Sequence, residues 1–309
     1  MLTLWQQLSD ACSRAARYAL VAFILSVACA PTAFSADVIY LAGAERESLR
    51  KLVQEGVTQV LGDTVELDRY SADAPDDALV LALGPSALSE VLANNPEQPV
   101  VSLFASSTFF RERVSAEQSV TAVFNDPPLL RQARLGRLIL PRARTIGLLA
   151  SPDQADAYRP AIESLEAIGL EARVFVVPSP DQLIRHLSRA LSYGDFLLGT
   201  PDEQIYNRNT IKHLLLTSYR QNRLVIGPTR PYVRAGALAS TYTNAADQVT
   251  QGLEAVAHYF EHGELPEAAH AREFSVTVNR QVARSMNIPI PSDEQLADEL
   301  RQLEAADEH

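Results

Sequence analysis

The chain reads as an α/β protein with parallel sheets, arranged as two similar lobes. Three observations predict this. Short continuous apolar runs such as Leu79–Leu83 (LVLAL) and Thr145–Ala150 (TIGLLA) have the composition of strands buried on both faces. Each run is followed by a segment with helical periodicity, as in Glu45–Leu61, where Leu49, Leu52, Val53, Val57, Val60 and Leu61 share one stripe. The strand–helix cycle then restarts after Leu140-Pro141-Arg142-Ala143-Arg144, a polar, proline-containing stretch suited to a lobe boundary.

In the first half, Val38–Ala42 is a strand ended by Gly43, and Glu45–Leu61 is its helix. Leu79–Leu83 is stopped by Gly84-Pro85, with Ser86 available to cap a helix over Ala87–Ala93. Val100–Phe104 and Val120–Phe124 are the next strands, and Pro127-Pro128 opens a helix through Leu138. In the second half, strands are expected at Thr145–Ala150, Ala172–Val177, Asp195–Leu198 and Leu224–Ile226. Helices are expected at Ala157–Ile168, Asp181–Leu191 and Asn209–Gln221. The remainder is strand-like at Ala237–Tyr242 and Phe274–Val278, and helical at Ala245–His262 and Arg280–Met286. These are too few elements for a third sheet, so they are expected to complete the two already begun. A polar tail is expected at Glu304–His309.

Residues 1–36 have the pattern of an export signal. Arg14 and Arg17 precede an apolar run, Ala19–Ala30, and small residues follow in Pro31–Ala36. The run is about 12 residues, short of the roughly 20 that span a bilayer. Cleavage is expected after Ser35 or Ala36. Attachment of lipid at Cys29 is disfavoured, because Ser26 stands where Leu is usual. The chain's two cysteines, Cys12 and Cys29, both lie in this segment, so the exported chain is expected to hold no disulfide and no thiol, as suits an oxidising compartment. Roughly 270 residues remain, enough for one large or two ordinary domains stabilised by apolar burial alone. The net charge of −11 becomes −12 once Arg14, Arg17 and Asp10 leave, which disfavours nucleic acid and anionic lipid as partners.

Ligands of open parallel sheets sit beyond the carboxyl ends of the strands, so the turns that follow the strands are the candidates. They are Gly43–Glu45, Gly84–Ser86, Ala105–Thr108, Ser151–Asp153, Pro178-Ser179, Thr200–Asp202 and Thr229-Arg230. From them we take Ser86, Ser106, Ser107, Thr108, Ser151, Asp153, Thr200, Asp202, Thr229 and Arg230 as candidate ligand-binding residues. Hydroxyls and free helix N-terminal amides at such turns hold carboxylates and other polar groups. The same residue types are also ordinary helix caps, so the argument is collective: two facing sheets bring two sets of turns to one cleft. Asp202 has the placement to meet an amino group, or to cap the next segment. Arg230, with Tyr232 near it, could pair with a ligand carboxylate or remain a solvated charge.

Signatures of catalysis are missing: there is no G-x-S-x-G, no G-x-x-x-x-G-K-[ST] and no G-x-G-x-x-G. His258 and His262, four apart near a helix end, have no third ligand in prospect and read as surface residues, so no metal and no cofactor are expected. His186 and His213 read as helix surface or packing residues.

Several segments in order resemble the ABC-transporter substrate-binding proteins of the tryptophan/tyrosine-binding type. They are Gln132–Pro141 with Thr145–Leu149, Thr200–Ile211, Leu214–Arg220, Tyr232–Ser240, and Phe274–Ala283 with Ile288–Pro291. The resemblance implies a type I periplasmic-binding-protein architecture: two Rossmann-like lobes, several hinge crossings and a ligand cleft between the lobes. It implies a crossing near Leu140–Arg144 and a return near Ser240. Lobe 1 would then be 37–142 plus 240–263, and lobe 2 would be 143–239 plus 264–303. It also implies that the turns at Gly84–Ser86, Ser106–Thr108, Ser151–Asp153 and Thr200–Asp202 face the ligand. The function expected is capture of a small polar or amino-acid-like solute by a periplasmic monomer, for delivery to an inner-membrane ABC permease. A sensing module for a membrane signalling protein keeps the same cleft. A secreted hydrolase using Asp202 and a histidine is the reading from another class.

Overall fold

The structure, a computed structural model, describes residues 37–307. The export signal read over residues 1–36, with Cys12 and Cys29, lies outside the described residues.

In lobe 1, strand β1 (Val38–Ala42) leads to helix α1 (Glu47–Val60). Then come β2 (Glu66–Arg69), β3 (Leu79–Leu83), α2 (Pro85–Asn94), β4 (Val100–Leu103), α3 (Ser107–Arg113) and β5 (Val120–Phe124). Lobe 2 follows with α4 (Leu129–Ile139), β6 (Thr145–Ala150), α5 (Arg159–Ala167), β7 (Glu171–Val176), α6 (Leu183–Tyr193) and β8 (Phe196–Leu198). It continues through α7 (Ile211–Arg220), β9 (Leu224–Ile226), α8 (Arg230–Ala235) and β10 (Ala239–Tyr242). The chain then returns for α9 (Ala245–His262) and β11 (Ala269–His270). It ends with β12 (Ser275–Val278), α10 (Arg280–Ser285) and α11 (Asp293–Asp307).

The first sheet has the order β11-β5-β4-β3-β1-β2, with every pair parallel. Its central strand β3 is buried end to end, with Leu81 opposite both Leu41 and Val101. Helices α1 and α9 cover one face, packing Val53, Val57, Val249 and Leu253 on Ile39, Leu81 and Leu103. Helix α2 covers the other with Leu88 and Val91 on Val80 and Val100. The second sheet has the order β12-β10-β9-β8-β6-β7, parallel except for the antiparallel pair β10–β12. Helices α4, α5 and α11 lie on one face around Phe196 and Leu198, and α6, α7 and α8 lie on the other around Leu149, Leu197 and Val225. The α/β class with two mostly parallel sheets is therefore as the strand–helix alternation predicts.

The elements depart from expectation where burial is weakest. Strand β2 was not expected. Its sequence, Glu-Leu-Asp-Arg, has no apolar run because it is a sheet edge and three of its four residues are exposed. Helix α11 was not expected either, and Glu304–Asp307 is its last turn rather than a tail. Ser86 does not cap α2. Gly84 takes that position at φ 96° with no side-chain cap, and Pro85 begins the helix.

The chain passes between the lobes three times, at Asn125–Pro128, at Thr243-Asn244 and at Ala271–Phe274. These positions revise the sequence reading in three places. Helix α4 belongs with lobe 2, because Ala133, Leu135 and Ile139 pack against Ile146, Phe196 and Leu238. The first crossing is therefore at Asp126-Pro127-Pro128 and not at Leu140–Arg144. Ser240 lies inside β10 of the second sheet, so the return starts at Thr243. Residues 264–271 stay with lobe 1, since β11 pairs with β5.

The crossings are tied to one another and to lobe 2. The Thr243 hydroxyl donates to the Glu273 carbonyl at 2.8 Å, and the His270 ring Nδ1 lies 2.8 Å from the Asp126 carbonyl oxygen. Arg131, 6% exposed, donates to both carboxylate oxygens of Glu304 at 2.7 and 3.1 Å and to the Ala271 carbonyl at 3.2 Å. Its guanidinium also lies 4.0 Å from the centre of the Phe274 ring. Arg134 pairs with Asp307 in the same helix, α11. Gln132 is buried and fully engaged. Its Nε2 donates to the Gly227 carbonyl and the Ser240 hydroxyl, while its Oε1 accepts from Thr241 N and Oγ1. Among the described residues, no helix is long and apolar enough to cross a membrane.

Candidate functional site

The cleft lies where the carboxyl ends of the two sheets face each other. Lobe 1 contributes the turn after β4. Phe104 takes φ 63°, which turns the chain sharply, and Ser106 caps α3 by accepting from Phe109 N at 3.2 Å. Ser107 is held by a residue of the first crossing: Asp126 accepts from its N–H at 2.6 Å and from its hydroxyl at 2.7 Å. A buried carboxylate with two such donors fixes the turn relative to the hinge.

Lobe 2 contributes the turns after β6 and β8. Asp202 is 1% exposed, and its Oδ2 accepts from Ser151 N at 2.6 Å while Oδ1 accepts from Gln204 N at 3.0 Å. Both oxygens are thus engaged by backbone amides, and the side chain clamps two post-strand turns together. Thr200, fully buried, donates to the Leu149 carbonyl at 3.1 Å.

Between these two sets stands Tyr158, in a short 3₁₀ turn of lobe 2 (Asp156–Tyr158), 2% exposed. Its hydroxyl faces Thr200 of its own lobe and Thr108 of lobe 1, without a well-formed hydrogen bond to either. Burial, reinforced by the Asp202 carboxylate, pushes the phenol up to about 12 against the opposing effect of the two threonine hydroxyls. It is therefore a neutral donor at any physiological pH. The Ser151 hydroxyl is likewise buried without a partner. Nearby Tyr206 is raised well above the ordinary value of 10, by burial first and then by Tyr232, Tyr158 and Asp202. At the rim, Gln154 Nε2 of lobe 2 donates to Glu112 of lobe 1 at 2.7 Å, a direct lobe-to-lobe bond. On the hinge side a cavity of about 210 Å³ opens between the lobes, lined by Ser107, Arg111, Asp126, Tyr158, Ser164 and His270 among others.

Of the residues taken from the sequence, Ser107, Thr108, Ser151, Thr200 and Asp202 are buried at this junction, and Ser106 is half-buried beside it. Ser86, Asp153, Thr229 and Arg230 are exposed. Arg230 stacks on Tyr242 at 4.5 Å. The turn at Gly43–Glu45 borders a separate hollow of about 490 Å³ in lobe 1, with Asp68, Arg69 and Tyr70. Gly43 is required there, because its φ is 77° and a Cβ would lie 2.7 Å from the Leu83 carbonyl oxygen. Sequence reasoning missed Tyr158, Gln154 and Asp126. Asp126 carried a usable signal, a carboxylate immediately before Pro-Pro at a strand end. Tyr158 carried none, since an aromatic at the start of a helix reads as core. His258 and His262 stack on each other at 4.2 Å, and among the described residues no group of three metal-ligating side chains occurs.

Compared with known proteins, the sequence matches no family model and no curated protein. Its fold does match solved structures. One is an ABC domain in complex with L-Trp from Streptococcus pneumonia, with 18% identity, 84% of this chain and 97% of that one covered, and a TM-score of 0.58. Another is a conserved domain protein from Vibrio cholerae, with 15% identity, coverage of 85% and 98%, and a TM-score of 0.56. A third is the ligand-free, open structure of a substrate-binding protein with adhesive properties from Clostridium difficile, with 14% identity, coverage of 83% and 96%, and a TM-score of 0.62. Two mostly parallel sheets, three crossings and a cleft between strand ends define the class: the chain has the type I periplasmic-binding-protein fold. Within that class, the structure bound to L-Trp carries an amino acid named in the resemblance read from the sequence.

Proposed function

We propose that the protein is a periplasmic solute-binding protein, exported by its N-terminal signal. It captures a small polar or amino-acid-like ligand by lobe closure and presents it to an ABC-type importer. The observation that carries this reading is the meeting of Thr108 from one lobe with Tyr158 and Thr200 from the other at a buried junction. A ligand held there touches both lobes only when they are together, so its binding energy favours closure. The unpartnered hydroxyls of Tyr158 and Ser151 are then available as donors and acceptors to a polar solute.

Thermal-shift screening of the chain from Asp37 onward against amino acids, amines, small carboxylates and monosaccharides tests the reading. Binding at about 100 times Kd stabilises by about 2.7 kcal/mol, which is a rise of several degrees. Failure of every small solute to raise Tm would refute capture. A hit that is lost in Thr108→Val or Tyr158→Phe, with the apo Tm little changed, would locate it at the junction.

A further inference from the structure

Charge is divided unevenly between the lobes. Lobe 1, residues 38–126 and 243–271, has 19 acidic and 6 basic side chains, a net charge of −13. Lobe 2, residues 127–242 and 272–307, has 16 acidic and 19 basic side chains, a net charge of +3. Much of the positive charge lies on one outward face. Helix α6 carries Arg185, His186 and Arg189 with no acidic residue, and α7 carries Lys212, His213 and Arg220 with none. The two helices pack side by side, joined by a hydrogen bond from Gln221 to the Ser188 hydroxyl. Among them stand Ile184, Leu216 and Tyr219, exposed by 43%, 42% and 58%.

We propose that this face of lobe 2 docks an acidic surface of a partner protein. Among the described residues, none of Arg173, Arg185, Arg189, Lys212 and Arg220 forms an ion pair with a carboxylate, so the cations are free to receive one. Two of them are also fixed in place. Arg173 lies 5.6 Å from the ring centres of Phe175 and Tyr193, and Arg189 lies 5.8 Å from that of Phe175. Guanidiniums ordered on aromatic rings are suited to bidentate carboxylate contacts, and they lose less entropy on docking than free lysines. Exposed Leu, Ile and Tyr among such cations supply the apolar part of a protein interface.

The charge division selects the occupant. The charge of −13 on lobe 1 opposes approach to an extended anionic surface such as lipid, and a second copy docked about a two-fold axis would set these cations against their own kind. A bounded acidic protein patch meets lobe 2 alone, and the opposed lobe charges orient the encounter.

The test uses a fluorescent synthetic amphipathic helix with Glu on one face and Leu on the other, read by anisotropy. Its Lys-for-Glu counterpart, phosphatidylglycerol vesicles and sedimentation velocity of the protein alone complete the set. The acidic peptide is expected to bind, and to weaken roughly tenfold between about 0.05 M and about 0.3 M salt. Arg185→Glu/Arg189→Glu should weaken it at least about tenfold, and Leu216→Ser/Tyr219→Ser several-fold, while Arg46→Glu/Lys51→Glu on lobe 1 leaves it unchanged. If the reversal disturbs the fold, Arg185→Gln/Arg189→Gln carries the same comparison. Equal binding by the α6 variants overturns the proposal. So does vesicle binding that the same variants abolish, or self-association of the wild type that they abolish.

Discussion

Ending the chain at Leu303 removes Glu304 and Asp307, the partners of Arg131 and Arg134. Arg131 is 6% exposed, so its guanidinium would stay buried with one carbonyl bond and one ring contact in place of a bidentate carboxylate. Stranding a fully buried charge costs about 3–5 kcal/mol. Glu304 is 29% exposed, so water replaces part of what is lost, and about 2–3 kcal/mol is the better figure. Asp307 is half exposed and adds about 0–1 kcal/mol. The total is about 2–4 kcal/mol, and for a chain of this size about 1 kcal/mol moves Tm by roughly 2–4 °C, so the truncated protein should melt about 4–16 °C lower. Differential scanning calorimetry measures this directly, with a chain ending at Asp307 as the control. Adding Arg131→Met to the truncated chain should recover much of the loss, because an apolar side chain no longer needs the missing carboxylate. A truncated chain that melts within about 1 °C of the control would refute the reasoning, as would a Met variant that melts lower still.

Three further outcomes are expected. Gly147→Ala should destabilise by about 1–3 kcal/mol or more in urea titrations, because the new Cβ would sit 2.6 Å from the Ala190 carbonyl where α6 crosses β6. Gln154→Ala removes the lobe-to-lobe bond to Glu112, worth about 1 kcal/mol with an exposed acceptor, and should shift the ligand-free closed-to-open ratio about fivefold toward open. Small-angle scattering would show this as a larger radius of gyration, and an unchanged profile would argue that the rim bond holds nothing closed. Tyr158 has a folded-state value of about 12 against 10 unfolded. Its contribution is thus fully present below pH 10 and is lost as pH rises from about 10 to about 12. Tyr158→Phe should make the alkaline decline of Tm shallower than in the wild type over that window.

The strands and helices that build the core were legible because burial on both faces demands unbroken apolar runs, as in Leu79–Leu83 and Thr145–Ala150. The pieces that were not legible lie where that demand lapses. Strand β2 is an exposed edge, and the last turn of α11 is stabilised by ion pairs to buried arginines rather than by an apolar stripe. The assignment of α4 to the wrong lobe has a different cause. Local pattern shows that a helix has an apolar face, but which sheet receives that face depends on where the chain crosses, and Asp126-Pro127-Pro128 is too short a signal to mark it. The turns were placed correctly as a group, yet their individual roles were not. Asp202 looked available to a ligand and instead binds two amides, while the unpartnered donor at the junction, Tyr158, comes from a segment with no distinctive pattern.

The three crossings also govern the order in which the molecule can be built. Neither lobe is a contiguous stretch of chain. Without residues beyond Tyr242, the first sheet lacks β11 on one edge, and Leu81 and Leu103 lack the cover of Val249 and Leu253. The second sheet in turn lacks β12, α10 and α11. A nascent chain can therefore collapse around β1–β5 and β6–β10 but can complete neither core until its last sixty or so residues arrive, and β5 must wait for a partner almost 150 positions away. Such non-local closure makes folding slow and late. The polypeptide stays unfinished, with apolar strand edges uncovered, until nearly all of it has been made.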